Sequence, residues 1–338
     1  MYCAFIVRAS AQIGMGHLMR CMALAQALLK KGHTATFLLD QETQVLANSQ
    51  QDWCGDIVYS DYDDAVDEQI SCFCEKQTLV LDWIIIDGYN FDRDFCFAWQ
   101  NKGFKVALID DDIHQSPYAA DLLINPSTEK TITDDGIPIL AGSQYRMLRR
   151  EFVTARQLPQ SQRHFLTLSF GGSDPANITI PLLSILDKLR IKAPIRVVTG
   201  QAYPHLPELT AILGRCSMDV EHVHAAQNMA EVWSETKLAV SAAGGSQFEL
   251  AVCAIPSVLV VVADNQLQAS QRAAHEGWCL VADLSATQQR NSELTNLGNR
   301  IVQLWNDDEL LVSMHKSILG QYDALGSERI VDSLVAYE

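Results

Sequence analysis

The chain has 338 residues, 48% hydrophobic and 20% charged, which is enough to bury a substantial core and long enough for two domains. Its formal net charge of −16 argues against general nucleic-acid binding or attachment to an anionic membrane, because both need a basic surface. No apolar run reaches membrane-spanning length, Arg8 and Gln12 interrupt the stretch where a secretion signal would be apolar, and the nine cysteines include no Cys-x-x-Cys pair, so a cytoplasmic protein without a disulfide framework or zinc site is expected.

Residues 3–7 form a short apolar run that reads as a buried first strand. Leu18, Met22, Ala25 and Leu28 then recur at helical spacing, up to Lys30, Lys31 and a stop at Gly32. Between them lies Gly14-Met15-Gly16-His17-Leu18-Met19-Arg20. Gly14 and Gly16 lack Cβ atoms, so the backbone can turn sharply and bring a ligand to the free N–H groups at the helix start. His17 stands at the helix mouth, where an imidazole can accept a proton near neutral pH. The plainer reading of His17 is a helix cap or a surface residue. The stretch is not the dinucleotide fingerprint, since Met19 and Arg20 stand where its third glycine should be.

Further strands are expected at 34–39, 56–59, 79–87, 105–109 and 121–124, separated mostly by helix-length segments. That alternation predicts βαβ units and a parallel sheet, with polar residues gathered just after the strands, where open α/β sheets place ligands. Asp110, Asp111 and Asp112 follow one strand. They suit a loop that hydrogen-bonds the sheet edge better than a magnesium site, because consecutive carboxylates cannot all face one ion. Tyr89, at the end of the most apolar strand, could stack on a sugar or pack in the core.

The chain becomes charged and polar over 145–163, which reads as a linker. The opening theme then recurs: a strand at 164–170, a turn Gly171-Gly172-Ser173-Asp174-Pro175, and Asn177 as a helix cap. Strands follow at 195–198, 218–223 and 238–242, with a helix from Asn228. A second glycine turn, Gly244-Gly245-Ser246, opens a helix and offers N–H groups and a hydroxyl to an anion. Glu249, one turn on, could accept from a ribose diol or simply face the helix dipole. The strand at 257–262 ends beside Asp264, Asn265 and Gln266. Two glycine turns in one half suggest a diphosphate bridged by two helix mouths, and no Walker phosphate loop is present. Two helices, 308–319 and 328–336, close the chain.

Taken together, Ile13 to His17 with Arg20 and Cys21, Asp87-Gly88-Tyr89, Asp110-Asp111, residues 144–149, 170–175, Asn228-Met229, 242–249 and Asp264-Asn265-Gln266 resemble the UDP-2,4-diacetamido-2,4,6-trideoxy-β-L-altropyranose hydrolases of pseudaminic acid biosynthesis. That family is similar to the GT-B glycosyltransferases, especially the peptidoglycan N-acetylglucosaminyltransferase. The resemblance implies two Rossmann-like domains facing across a cleft, residues 1–155 carrying the catalytic group and 156–338 binding UDP, with the last helices able to pack back on the first domain. It implies that His17 activates water for inverting attack at the anomeric carbon. Gly172, Ser173, Gly245 and Ser246 would hold the diphosphate and Glu249 the ribose. Met229 would lie near uracil, and Tyr89, Asn265 and Gln266 would line the sugar pocket beside Gly14, Gly16 and Arg20. No metal, cofactor, nucleic acid or membrane insertion is implied, and the oligomeric state is open. Two alternatives share the UDP site: an inverting UDP-sugar glycosyltransferase and a non-catalytic UDP-sugar-binding protein. This chain departs from the family at residues 8–12, which are shorter and lack an aspartate, and at Gly88, where a histidine is frequent.

Overall fold

The structure is a computed structural model that describes residues 1–10, 13–62, 65–76, 80–111, 117–285 and 290–337. It divides into two compact units, Met1–Val153 with Ala324–Glu338, and Thr154–Asp323.

The first unit is built on a seven-stranded parallel sheet in the order β3-β2-β1-β4-β5-β6-β7 among the described residues, with β1 Tyr2–Val7, β2 Thr34–Leu39, β3 Asp56–Tyr59, β4 Trp83–Asp87, β5 Lys105–Ile109, β6 Leu122–Asn125 and β7 Ile139–Ala141. All six residues of β1 and all five of β4 are buried, as a strand covered on both faces requires. Helices α1 Gly16–Lys30, α2 Gln41–Asn48, α3 Val66–Lys76, α4 Arg93–Asn101 and α5 Arg150–Val153 connect or follow these strands. The carboxylates of Asp40 and Asp92 accept from Thr43 N and Phe95 N and so start α2 and α4. Phe5, Phe37 and Ile85 pack with Leu18, Leu24 and Leu28 of α1 on one face, while Ile6, Ile84 and Ile86 pack with Trp99 on the other. Burying each such side chain is worth about 1.5–3 kcal/mol, so Ile85→Ala should cost roughly 2–5 kcal/mol.

The strand expected from residue 79 starts instead at Trp83, preceded by Asp82, whose N–H donates to the Tyr2 carbonyl (2.9 Å) while its carboxylate accepts from the Tyr2 N–H (2.7 Å); Leu79 lies outside the described residues.

The second unit repeats the plan with six parallel strands in the order β10-β9-β8-β11-β12-β13: β8 Phe165–Ser169, β9 Ile195–Thr199, β10 Val220–His224, β11 Thr236–Ala242, β12 Ser257–Val261 and β13 Cys279–Asp283. Its helices are α6 Thr179–Lys188, α7 Leu206–Leu213, α8 Met229–Ser234, α9 Ser246–Val252, α10 Leu267–His275, α11 Arg290–Trp305 and α12 Asp308–Ile318. Arg163, at its entrance, donates to the Leu158, Ala254 and Cys253 carbonyls, which ties the incoming segment to the end of α9.

The closing helices thus form near their expected positions, but only α12 stays in the second unit. Helix α13, Gly326–Val335, belongs to the first, where Ile330, Val331 and Leu334 join the α1 cluster and the Trp83 indole N–H donates to the Leu334 carbonyl. Among the described residues, no helix is long and apolar enough to cross a membrane.

Candidate active site

In the first unit the strand order reverses between β1 and β4, and the carboxyl ends of such a pair are where open parallel sheets form ligand sites. β1 runs into a loop in which the Ser10 carbonyl accepts from Gly14 N (2.8 Å) and the Ser10 hydroxyl accepts from Ile13 N (3.0 Å). Gly14 takes φ +88°, a left-handed conformation that suits glycine. A methyl on Gly16 would meet no atom within 4 Å, so the turn requires Gly14 rather than Gly16. Ala11 and Gln12 lie outside the described residues. Helix α1 then begins with neither a side-chain cap nor an acidic residue in its first turn.

His17 and Arg20 are one turn apart on α1, so both reach the same group on β4. That group is Asp87, fully buried at the strand end. Its Oδ1 lies 2.7 Å from His17 Nδ1 and 2.6 Å from an Arg20 terminal nitrogen; its Oδ2 accepts from Arg20 Nε at 2.6 Å and from the Cys21 thiol at 3.5 Å. The remaining arm of Arg20 reaches Asp111 at 2.7 Å. Burial pushes the Asp87 pKa up, but the Arg20 guanidinium and then His17 outweigh it, and the carboxyl is held well below the usual range. Burial works against the Arg20 charge, and Asp87 and Asp111 more than offset it. Because an ionised carboxylate only accepts, Nδ1–H of His17 donates to Asp87 and the lone pair is left on Nε2. The side chain of His17 remains 12% exposed. Tyr89 does not pack in the core: it is 58% exposed, with its ring edge-on to the imidazole at 5.1 Å.

In the second unit the reversal falls between β8 and β11, so both glycine turns lie at its switch point. The two turns are not equivalent. A Cβ on Gly200 would lie 2.5 Å from the Gly172 Cα, so these backbones pack directly on each other. Ser173 is buried at 5% exposure. Asn177, expected as the helix cap, does not serve: the Asp174 carboxylate accepts from Ile178 N and Thr179 N at the start of α6. The mouth of α6 therefore already holds an anion, whereas α9 starts after Gly245 with no side-chain cap. Ser246 opens α9, and Glu249 one turn on accepts from the Trp233 indole N–H at 3.0 Å. Met229 is the first residue of α8, whose start is capped by Asn228. Gln266, in the turn after β12, accepts from Val262 N at 2.9 Å and has its amide nitrogen 3.9 Å from the position of a Gly244 Cβ. The side chain of Asn265 lies outside the described residues.

The sequence had brought His17 and Arg20 to the helix mouth but missed Asp87, Asp111 and Trp233. The signal for Asp87 was available, since a carboxylate closing the most apolar strand needs a cation beside it. Asp111 pairs with Arg20, Asp110 accepts from the Tyr118 hydroxyl at 2.7 Å, and Asp112 lies outside the described residues. Among the described residues, no group of three His, Cys, Asp or Glu side chains is placed to hold a metal ion.

The fold is that of the GT-B glycosyltransferases, with two parallel-sheet Rossmann-like units. MurG of Acinetobacter baumannii superposes with a TM-score of 0.67 over 99% of both chains, at 16% identity. In sequence, the chain is similar to the UDP-2,4-diacetamido-2,4,6-trideoxy-β-L-altropyranose hydrolase of Campylobacter jejuni, 25% identical over 244 residues that cover 69% of this chain and 82% of the hydrolase. It is also similar to an uncharacterised protein of Methanocaldococcus jannaschii, 26% identical over 280 residues; the match covers 78% of this chain but only 56% of that longer relative. No protein-family model matches the chain.

Proposed function

We propose that the protein is a UDP-sugar hydrolase. It takes a UDP-linked 2,4-diacetamido-2,4,6-trideoxyhexose and releases UDP and the free sugar for pseudaminic acid biosynthesis. Nε2 of His17 accepts a proton from water, the water oxygen bonds to the anomeric carbon from the face opposite the nucleotide, and the C1–O bond breaks with its electron pair leaving on UDP. The configuration inverts. UDP is a stable leaving group, so donors on the departing phosphates matter more than a strong acid. The uncapped start of α9, with Ser246, supplies such donors, and Glu249 is held by Trp233 where a carboxylate can accept from a ribose diol. In this reading the first unit carries the base and the second the nucleotide site. Gly14, Gly16, Tyr89, Gly172, Ser173, Met229, Gly245, Asn265 and Gln266 complete the substrate contacts in this reading.

The observation that carries it is the Asp87–His17 pair, which leaves a lone pair on a partly exposed imidazole at a sheet switch point. The similarity to the Campylobacter hydrolase supports the choice of substrate. The test is to incubate purified protein with the UDP-diacetamido sugar and measure UDP. Release without an added acceptor is expected, and His17→Asn should abolish it while UDP still binds. Release only when an acceptor alcohol is present would replace hydrolysis by glycosyl transfer. Binding without release under either condition would leave a UDP-sugar-binding protein.

A further inference from the structure

Arg20 was expected among the substrate contacts, yet each of its three guanidinium nitrogens is already committed. Nε and one terminal nitrogen grip both oxygens of Asp87 at 2.6 Å, and the other terminal nitrogen reaches Asp111 at 2.7 Å. The fork binds a carboxylate in the bidentate geometry that arginine, unlike lysine, provides. We propose that Arg20 is a positioning residue that touches no substrate: anchored outside by Asp111, it holds Asp87 in place as the acceptor that orients His17. This rests on the reading of His17 as the base.

The physical need for such a brace follows from burial. Asp87 has no exposed surface, and a carboxylate there without a cation would take up a proton or draw a full positive charge onto the imidazole. In the first case the acceptor for Nδ1–H is weakened and the ring is free to turn. In the second the base is already protonated. Arg20 prevents both, because its fixed charge satisfies Asp87 without a proton. Its placement makes this possible: three residues beyond His17 on α1, it approaches Asp87 from the same helix face. Among the described residues, the other groups facing this carboxylate are His17 and the Cys21 thiol, neither of which carries a permanent charge, and the Arg20 terminal nitrogen on Oδ1 also lies 3.1 Å from His17 Nδ1. Asp111, only partly buried, fixes the far arm so that the fork cannot swing toward solvent.

The experiment compares Arg20→Met and Arg20→Lys with the unaltered protein, in two readouts. In turnover, Arg20→Met should lower kcat by about 100-fold, within the range general-base catalysis supplies, and leave KM within about threefold. The acidic limb of its kcat/KM profile should move to higher pH by about one unit or more, because an imidazole beside an unbraced carboxylate keeps its proton longer. Arg20→Lys keeps the charge without the fork and should recover part of kcat and most of the limb. In long-range proton–nitrogen spectra of histidine-labelled protein, His17 should show the Nδ1–H tautomer in the unaltered chain and lose it, or titrate at higher pH, in Arg20→Met. A raised KM with kcat and limb unchanged would make Arg20 a substrate ligand and overturn the proposal. So would an unchanged tautomer and titration in a folded Arg20→Met protein. The spectra need no turnover, so they judge the brace even if the unaltered protein proves to release no UDP, which would overturn the hydrolase reading alone.

Discussion

The indole N–H of Trp233, on a fully buried side chain of α8, donates to Oε2 of Glu249 on α9 across 3.0 Å. A carboxylate held in this way loses little side-chain entropy when a ligand arrives.

Glu249→Ala should therefore raise the dissociation constant for UDP by about tenfold or more, the worth of one lost charge-assisted hydrogen bond. Trp233→Phe, which removes this donor but keeps the carboxylate, should raise it by about threefold, roughly 0.65 kcal/mol, and cost about 1–3 kcal/mol of stability through the lost bond and the gap left in the core. Titration calorimetry with UDP and thermal melts measure both. Equal UDP affinity in all three proteins would remove Glu249 from the nucleotide site.

Asp87→Asn should reduce kcat by about 10³-fold or more, since an amide can present its donor to Nδ1 and favour the wrong tautomer. It should also destabilise the protein by about 3–5 kcal/mol near neutral pH, because Arg20 would be left without its main partner. The sign of the pH dependence follows from the depressed pKa of Asp87. Its stabilising contribution is complete above about pH 4, where the unfolded carboxyl is ionised, and is lost as the pH falls below that value toward the folded pKa. The difference in melting temperature between the two proteins should therefore be largest at neutral pH and shrink below about pH 4. A difference that is constant with pH would contradict the ion-pair assignment.

Gly200→Ala should be among the most damaging single-methyl changes in the second unit. The added carbon would fall 2.5 Å from both the Cα and the carbonyl oxygen of Gly172, which are backbone atoms and cannot swing aside. A loss of about 1–3 kcal/mol is expected from the overpacking. UDP affinity should drop with it, because the first glycine turn must shift. The readouts are melting temperature and calorimetry; a stable variant with normal UDP binding would show that this turn plays no part in holding the nucleotide.

Gly88→His restores the residue frequent in the resembling family, and here it should not improve turnover. Gly88 takes φ +144°, and a Cβ would meet the Phe91 ring at 3.3 Å. The strain should cost about 1–3 kcal/mol and displace the neighbouring Tyr89. Higher turnover in this variant, measured by UDP release, would mean that the β4 turn adapts more freely than its geometry indicates.

The architecture was legible because its signals are local. Apolar runs such as residues 3–7 and 105–109 could only be buried strands, and the turns at Gly14, Gly172 and Gly245 marked where each sheet yields to a helix. That these turns lie at the two switch points depends on strand order, which periodicity does not encode. The partnership of His17, Arg20, Asp87 and Asp111 spans 95 positions of chain and emerges only once β4 lies beside β1 and β5 beside β4. Asn177 was a reasonable cap by composition and lost to Asp174, three residues earlier, whose carboxylate accepts from Ile178 N and Thr179 N.

The chain leaves the first unit at Val153 and re-enters it at Ala324. During synthesis the whole of the second unit must emerge from the ribosome before α13 can cover the apolar side of α1 and the Trp83 indole can reach Leu334. Nascent first units therefore wait with that face bare, and chaperone occupancy or ribosome-stalled intermediates should concentrate there even though its strands were translated first.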